Sequence, residues 1–326
     1  MTRIFVLLLC YTALVCAVVA VTTWISHKKA LPTSATIPVA ATAARSSEDR
    51  AMIVAQRRAV AAVALSALVF VILLPVAMML TGLAGLGIAL TAGTSVSAGL
   101  LLFSTLPPAK DSSGTTAIAS LDPRKPWSFG MQRTFVIPLA IMAAFFLFLG
   151  AAGLTSAPDG QGRYRILQID NVPSIVATSS YPGWFYGIPL ILVTLILAIT
   201  VFLALHRISA TPSLPDPRMA ALDRRWREIS TLVVIRLGTG TLLGYFGGTA
   251  AIAGQTMANI ASAIDATTSE IAGTGPLQPL FGVGITTAAI GAILTAVGII
   301  LLVLAARDAL TIRTAARAAV SDPVAV

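Results

Sequence analysis

Seven apolar runs dominate this chain, at residues 4–25, 59–80, 83–106, 134–154, 185–205, 230–254 and 281–305. Each is about twenty residues or longer, the length at which an α-helix crosses ~30 Å of hydrocarbon. The second and third runs are separated only by Thr81 and Gly82, and no charge occurs from Ala59 to Leu106. A single helix of that length far overshoots a bilayer, so the pair is expected to fold as a tight hairpin. Only 11% of the 326 residues are charged and 56% are apolar, against roughly a quarter charged in soluble domains. That is too little charge to cover a soluble surface. Period-two strands of ~10 residues are absent, which excludes an outer-membrane barrel. The expected class is all-α: one integral membrane domain, a polytopic bundle of seven transmembrane helices.

The positions of lysine and arginine orient the bundle, because basic residues flanking spans are retained on the cytoplasmic side. With the N-terminus outside and the C-terminus cytoplasmic, 18 of the 22 basic residues fall inside. They lie in a linker and helix at 26–58, in the loop after the third run, in the segment 206–229 and in the tail 306–326. Arg3, Arg163 and Arg165 remain outside, and Arg236 lies within the sixth run. Treating the first run as a cleaved signal peptide inverts this balance, and Lys28-Lys29 directly after it argues against cleavage. The net charge of +9 does not indicate nucleic acid, since the basic residues flank apolar runs instead of forming a basic domain. The bilayer is the expected partner. The arginine-rich, lysine-poor composition suggests a GC-rich bacterium and hence its inner membrane.

Between the runs, residues 30–44 are rich in Pro, Ala and Thr and read as a linker. Ser46-Ser47-Glu48-Asp49 reads as a helix start, hydroxyl caps followed by acids. In the 206–229 segment Asp216-Pro217 fits a helix start, and Met219, Leu222, Trp226 and Ile229 fall on one face. An amphipathic helix lying apolar side down among headgroups is expected there. The outer loop 155–184 carries partial alternation around Arg163–Asp170, consistent with a short strand or hairpin. It ends in Tyr181, Trp184, Phe185 and Tyr186, an expected aromatic belt at the outer interface.

The search for chemistry returns no phosphate loop, no His-Glu-x-x-His and no acid or base set. Cys10 and Cys16 sit in the first run without metal-ligand spacing. No metal, cofactor or catalytic residue is expected, and the apolar runs contain no Asp or Glu on which to build a proton- or sodium-coupled carrier. What remains is a pattern of small residues. Arg236, Gly240, Gly244 and Gly248 recur every fourth residue, as do Gly87, Thr91, Ser95 and Gly99, and Thr287, Gly291 and Thr295. Such stripes let helices approach closely, so these residues are expected either to pack the bundle centre or to line a path. Arg236 is expected to reach back to the headgroups. The leading functional expectation is a permease-like or transport-associated subunit without its own ATPase, served by a separate cytoplasmic ATPase or another membrane subunit. The alternatives are a non-transporting sensor, scaffold or envelope assembly factor, and a lipid-modifying membrane enzyme.

Overall fold

The computed structural model describes residues 40–79, 86–107, 132–167, 181–211, 220–272 and 279–321. The first apolar run and Met219 lie outside them. The described chain forms α1 (Ala40–Met79), α2 (Leu86–Thr105), α3 (Gln132–Leu154), β1 (Ser156–Pro158), β2 (Tyr164–Leu167), α4 (Trp184–Ser209), α5 (Ala220–Ala272) and α6 (Leu280–Ser321). Each helix contains a segment long and apolar enough to cross a membrane: Met52–Met79, Gly87–Thr105, Arg133–Leu154, Trp184–Ser209, Leu222–Ser262 and Leu280–Ile312. The protein is therefore a helical, multi-pass membrane protein, and six of the seven runs form these spans.

Two boundaries differ from expectation. α1 begins at Ala40, so Ser46 and Ser47 lie inside a helix instead of capping one. The described part of the 206–229 segment after Thr211, from Ala220 on, is not a separate surface helix but the start of α5, which runs unbroken through 53 residues. Neither Gly nor Pro occurs between Ala220 and Leu237, so nothing stops the amphipathic stretch from continuing straight into the span. At 1.5 Å per residue α5 is about 80 Å long and projects well beyond a ~30 Å core.

Small side chains decide which helices are central. In α5, 78% of the apolar window is buried, and in α2 67%, against 17% in α3 and in α6. α5 and α2 carry Gly, Ser and Thr stripes on buried faces, α6 keeps its own stripe toward α5, and α1, α3 and the rest of α6 turn Leu, Ile and Val outward, as lipid-facing helices do. α2 lies against α1, where a Cβ added to Gly87 would meet Ala77 at 2.9 Å and one added to Gly99 would strike Ser66 and Ala62. α4 runs antiparallel to α5, with Val201 against Gly238 and the Thr194 hydroxyl 2.9 Å from that of Tyr245. One end of the bundle gathers Arg58, Arg207, Arg227 and Arg236, and the β-hairpin covers the other.

The closest contact is the antiparallel seam between α5 and α6. Gly240 faces Gly298, Gly247 faces Gly291 and Gly254 faces Gly284. A Cβ added to Gly291 would sit 2.6 Å from the Gly247 carbonyl oxygen, and one added to Gly284 2.7 Å from that of Gly254. The repeat is seven residues on both helices, 3.5 per turn, so the seam drifts only about 20° per step. Gly240 and Gly291 from the sequence stripes belong to it, and the Gly244 backbone borders it opposite Gly298, but nothing lies within 4 Å of a Cβ at Gly244 or Gly248.

These contacts make opposite predictions for neighbouring glycines. Gly247→Leu drives a side chain into the α6 backbone and should cost about 1–3 kcal/mol or more. Gly244→Ala gains helix propensity without a clash and should be neutral or stabilising by roughly 0.5–1 kcal/mol. Thermal unfolding of the two variants in detergent checks this, and equal melting temperatures would refute the seam.

Candidate functional site: an apolar chamber among the spans

Gly244 and Gly248 are open because they border a chamber of about 640 Å³ enclosed by α1, α2, α4, α5 and α6. Its walls include Ser66 and Phe70 of α1, Ser95 of α2, Tyr186 of α4, Gly240 to Thr249 at intervals on α5, and Ile299 to Ala306 on α6. The geometry follows from helix periodicity. Four residues advance about 400°, so the Gly240–Gly244–Gly248 stripe rotates ~40° per step away from the seven-residue seam. Two glycine patterns on one helix therefore serve two faces.

The chamber presents carbon. Its hydroxyls turn back into their own helices: Ser66 donates to Ala62 O at 2.8 Å, Ser95 to Thr91 O at 2.5 Å, Thr241 to Leu237 O at 2.9 Å and Thr249 to Tyr245 O at 2.6 Å. Tyr245 shares a hydrogen bond with Thr194. Side-chain bonds of this kind leave few donors or acceptors for water. Among the described residues, no Asp, Glu, Lys, Arg or His lines the space. The size matches ligand pockets of ~300–1,000 Å³, and the lining suits an apolar occupant.

The chamber reaches the outer surface of the bundle. Ile299 and Val303 of α6 line it and are also 56% and 63% exposed, and Ile88 and Ile252 are exposed lining residues too. Its mouth lies between α1 and α6, which meet at the basic end, where the Gln56 amide donates to Leu310 O. Just beyond the chamber, next to its lining residues Leu237 and Ala306, the Arg236 guanidinium pairs with Asp308 of α6. The arginine expected to reach for headgroups thus holds a carboxylate, which falls on α6 because that helix continues past the apolar run. The charge pattern alone did not couple the two residues, 72 positions apart.

The remaining sequence candidates divide. Gly87 and Gly99 pack against α1, Thr91 is buried, and Ser95 lines the chamber. Thr295 lies under Gly247 and donates to Gly291 O at 2.9 Å, and Thr287 is half-buried. Leu222, Trp226 and Ile229 do not face headgroups. They are buried in one cluster with Met52, Ile208, Ala309 and Ile312, because the helix carrying them stands along the bundle. Trp226 donates to Asp223 at 3.0 Å, and the fully buried Arg227 binds Asp223 and Ile208 O.

The aromatic belt is also largely internal. Tyr181 is buried and its hydroxyl lies 2.9 Å from that of Thr155; Tyr186 is buried too, while Trp184 and Phe185 are half-buried. They pack beneath the hairpin, whose strands pair Ser156 with Leu167 and Ala157 with Ile166. Gly162, at φ +73°, allows its turn. Asp159 accepts from the backbone N–H groups of Gln161 and Arg163 at 2.8 Å and from the Arg163 and Arg165 guanidiniums.

The seven-residue glycine repeat and the Arg236–Asp308 pair were missed by sequence reasoning. The repeat is visible as Gly240, Gly247, Gly254 and Gly284, Gly291, Gly298 once a period of seven is sought. Compared with protein-family models, curated proteins and solved structures, the chain matches none.

Asp159 yields a pH prediction. Burial disfavours its charge, but the N–H groups of Arg163 and Gln161 and the two guanidiniums outweigh this and hold the carboxyl well below its usual range. A depressed folded-state value means that its stabilisation is complete above the unfolded value of ~3.9 and is lost as pH falls through the folded one. Amide protection of residues 156–167 should stay level between about pH 5 and 8. It should drop in Asp159→Asn already at neutral pH, as measured by hydrogen exchange.

Proposed function

We propose that this protein is a permease-like or transport-associated membrane subunit that admits the apolar tail of a lipid-like molecule sideways into its chamber. The observation that carries this reading is a carbon-lined space inside the bundle whose mouth is flanked by exposed aliphatic residues of α6. An acyl chain entering there exchanges one hydrocarbon environment for another, while its polar head stays at the interface. The chain carries no phosphate loop, so energy for net movement comes from a separate cytoplasmic ATPase or another membrane subunit. The lopsided basic residues place the arginine-rich end in the cytoplasm and the hairpin outside, and a bacterial inner membrane is the matching location.

A second reading, a non-transporting scaffold, draws support from α5, which projects beyond the membrane as one straight element. It makes no use of the chamber.

Two experiments test these readings. Membranes containing the full chain, fed a fatty acid with a photoreactive group on its tail, should yield crosslinks at residues 63–70 and 299–303. Gly244→Leu together with Gly248→Leu fills the space without a clash and should lower that labelling several-fold. Unchanged labelling would mean that the tail lies on the bundle's outer surface and that the chamber reading fails. For orientation, reporter fusions after residues 215 and 320 should report cytoplasm, and one after 165 the outside; a cytoplasmic signal at 165 would reverse the assignment.

A further inference from the structure

The basic end holds two kinds of arginine. Arg224 and Arg225 share Glu228, Arg227 holds Asp223, and Arg236 holds Asp308. Arg58 and Arg207 have no carboxylate partner among the residues whose side chains are described, and Asp223, Glu228 and Asp308 are engaged by those other arginines. Arg58 of α1 is nonetheless only 5% exposed. One of its terminal nitrogens donates to Phe103 O at 3.0 Å, in the last turn of α2, and its guanidinium lies 4.7 Å above the Phe103 ring. Its Nε is buried without a hydrogen-bond partner. Arg207, in the last turn of α4, is half-buried, stands close enough for its charge to repel that of Arg58, and also carries a buried, unpartnered Nε.

Two like charges close enough to repel each other are unfavourable unless an anion neutralises them. The Phe103 carbonyl at the negative end of α2 and the ring face satisfy one donor and part of the charge of Arg58. The buried Nε of each guanidinium is left without a partner among the described residues. Planar guanidiniums suit the oxygens of a phosphate, which each can grip through two parallel bonds. Both residues sit where α1 and α4 leave the apolar core, at the depth of headgroups, and the partly exposed Arg207 provides the approach. We propose that Arg58 and Arg207 form a binding site for a phosphate-bearing anion at the basic end of the bundle. Basic pockets between transmembrane helices hold acidic lipid headgroups in this manner, and free phosphate presents the same oxygens. Neither Arg58 nor Arg207 lines the chamber, so the site stands whether or not a lipid tail enters it.

The test is the melting temperature of the purified, delipidated full-length protein in detergent, titrated with phosphatidylglycerol, with phosphatidylcholine or with inorganic phosphate. A ligand that binds only the folded state raises the melting temperature with its concentration. Phosphatidylglycerol should give a shift of several degrees and phosphatidylcholine much less. Arg207→Gln, which removes a half-exposed group with no partner, should fold and lose more than half of the shift. Arg58→Gln should lose it as well, and Arg207→Lys should restore only part of it. A shift with inorganic phosphate equal to that with the lipid, and lost in Arg207→Gln, would identify a free anion as the occupant and support the site. A shift that Arg207→Gln leaves intact, or no shift with either phosphate source, overturns the proposal.

Discussion

Between α5 and α6 the two backbones touch at three levels, Gly240 with Gly298, Gly247 with Gly291 and Gly254 with Gly284. In lipid no hydrophobic drive brings helices together, so dispersion at close range and backbone proximity hold them. Residues 240 to 254 span about 21 Å of helix axis, which makes this contact continuous over most of the hydrocarbon thickness. α5 is also the most buried helix and the one against which α2, α3 and α4 are set, through Tyr245 and Phe246 with Phe145 and through Gly238 with Val201. With α6 seated, Asp308, nearly three turns past Gly298, comes within reach of the long side chain of Arg236, about one turn before Gly240.

The chamber follows from the same helix by a difference of rotation. A seven-residue step returns to nearly the same direction, whereas a four-residue step gains ~40°. Gly247 and Gly254 therefore stay on the seam, while the Cβ positions of Gly244, whose backbone still borders Gly298, and of Gly248 open onto the space. α1 and α6 are joined at the basic end, where the Gln56 amide meets the Leu310 carbonyl. Further along, the exposed lining residues Ile299 and Val303 mark the side on which the space stays open. The hydroxyls of Ser66, Ser95, Thr241, Thr249 and Tyr245 bond within the helices, so among the lining hydroxyls only that of Tyr186 is left without a partner among the described residues.

What could be read from sequence was whatever depends on local composition. The six described spans and the α1–α2 hairpin follow from run length, and the β-hairpin near Tyr164 was legible in the alternation of its residues. The four-residue stripes are recognisable in the sequence as small-residue faces, but each step turns them by about 40°. At Gly248 the turn amounts to about 80° from Gly240, the difference between a seam and a cavity wall. The faces of Leu222, Trp226 and Ile229 and of Tyr181 and Tyr186 were correctly apolar, but their partners were not readable. Amphipathicity is the same whether the covering surface is lipid or Met52 and Ile208. Likewise Asp308 lies outside its apolar run, and only the continuation of α6 as helix to Ser321 brings it under Arg236.

The continuity of α5 joins these parts mechanically. It has no proline; Asp223 holds Trp226 and Arg227 within the helix, and Arg227 ties the basic end of the rod to the end of α4 through Ile208 O. The same rod, a few turns on, presents Gly240, Gly244 and Gly248 to the chamber. No break separates the basic end of α5 from its span, so the residues that anchor α4 and those that border the chamber stand on one helix, which the glycine seam packs against α6 and its exposed lining residues Ile299 and Val303.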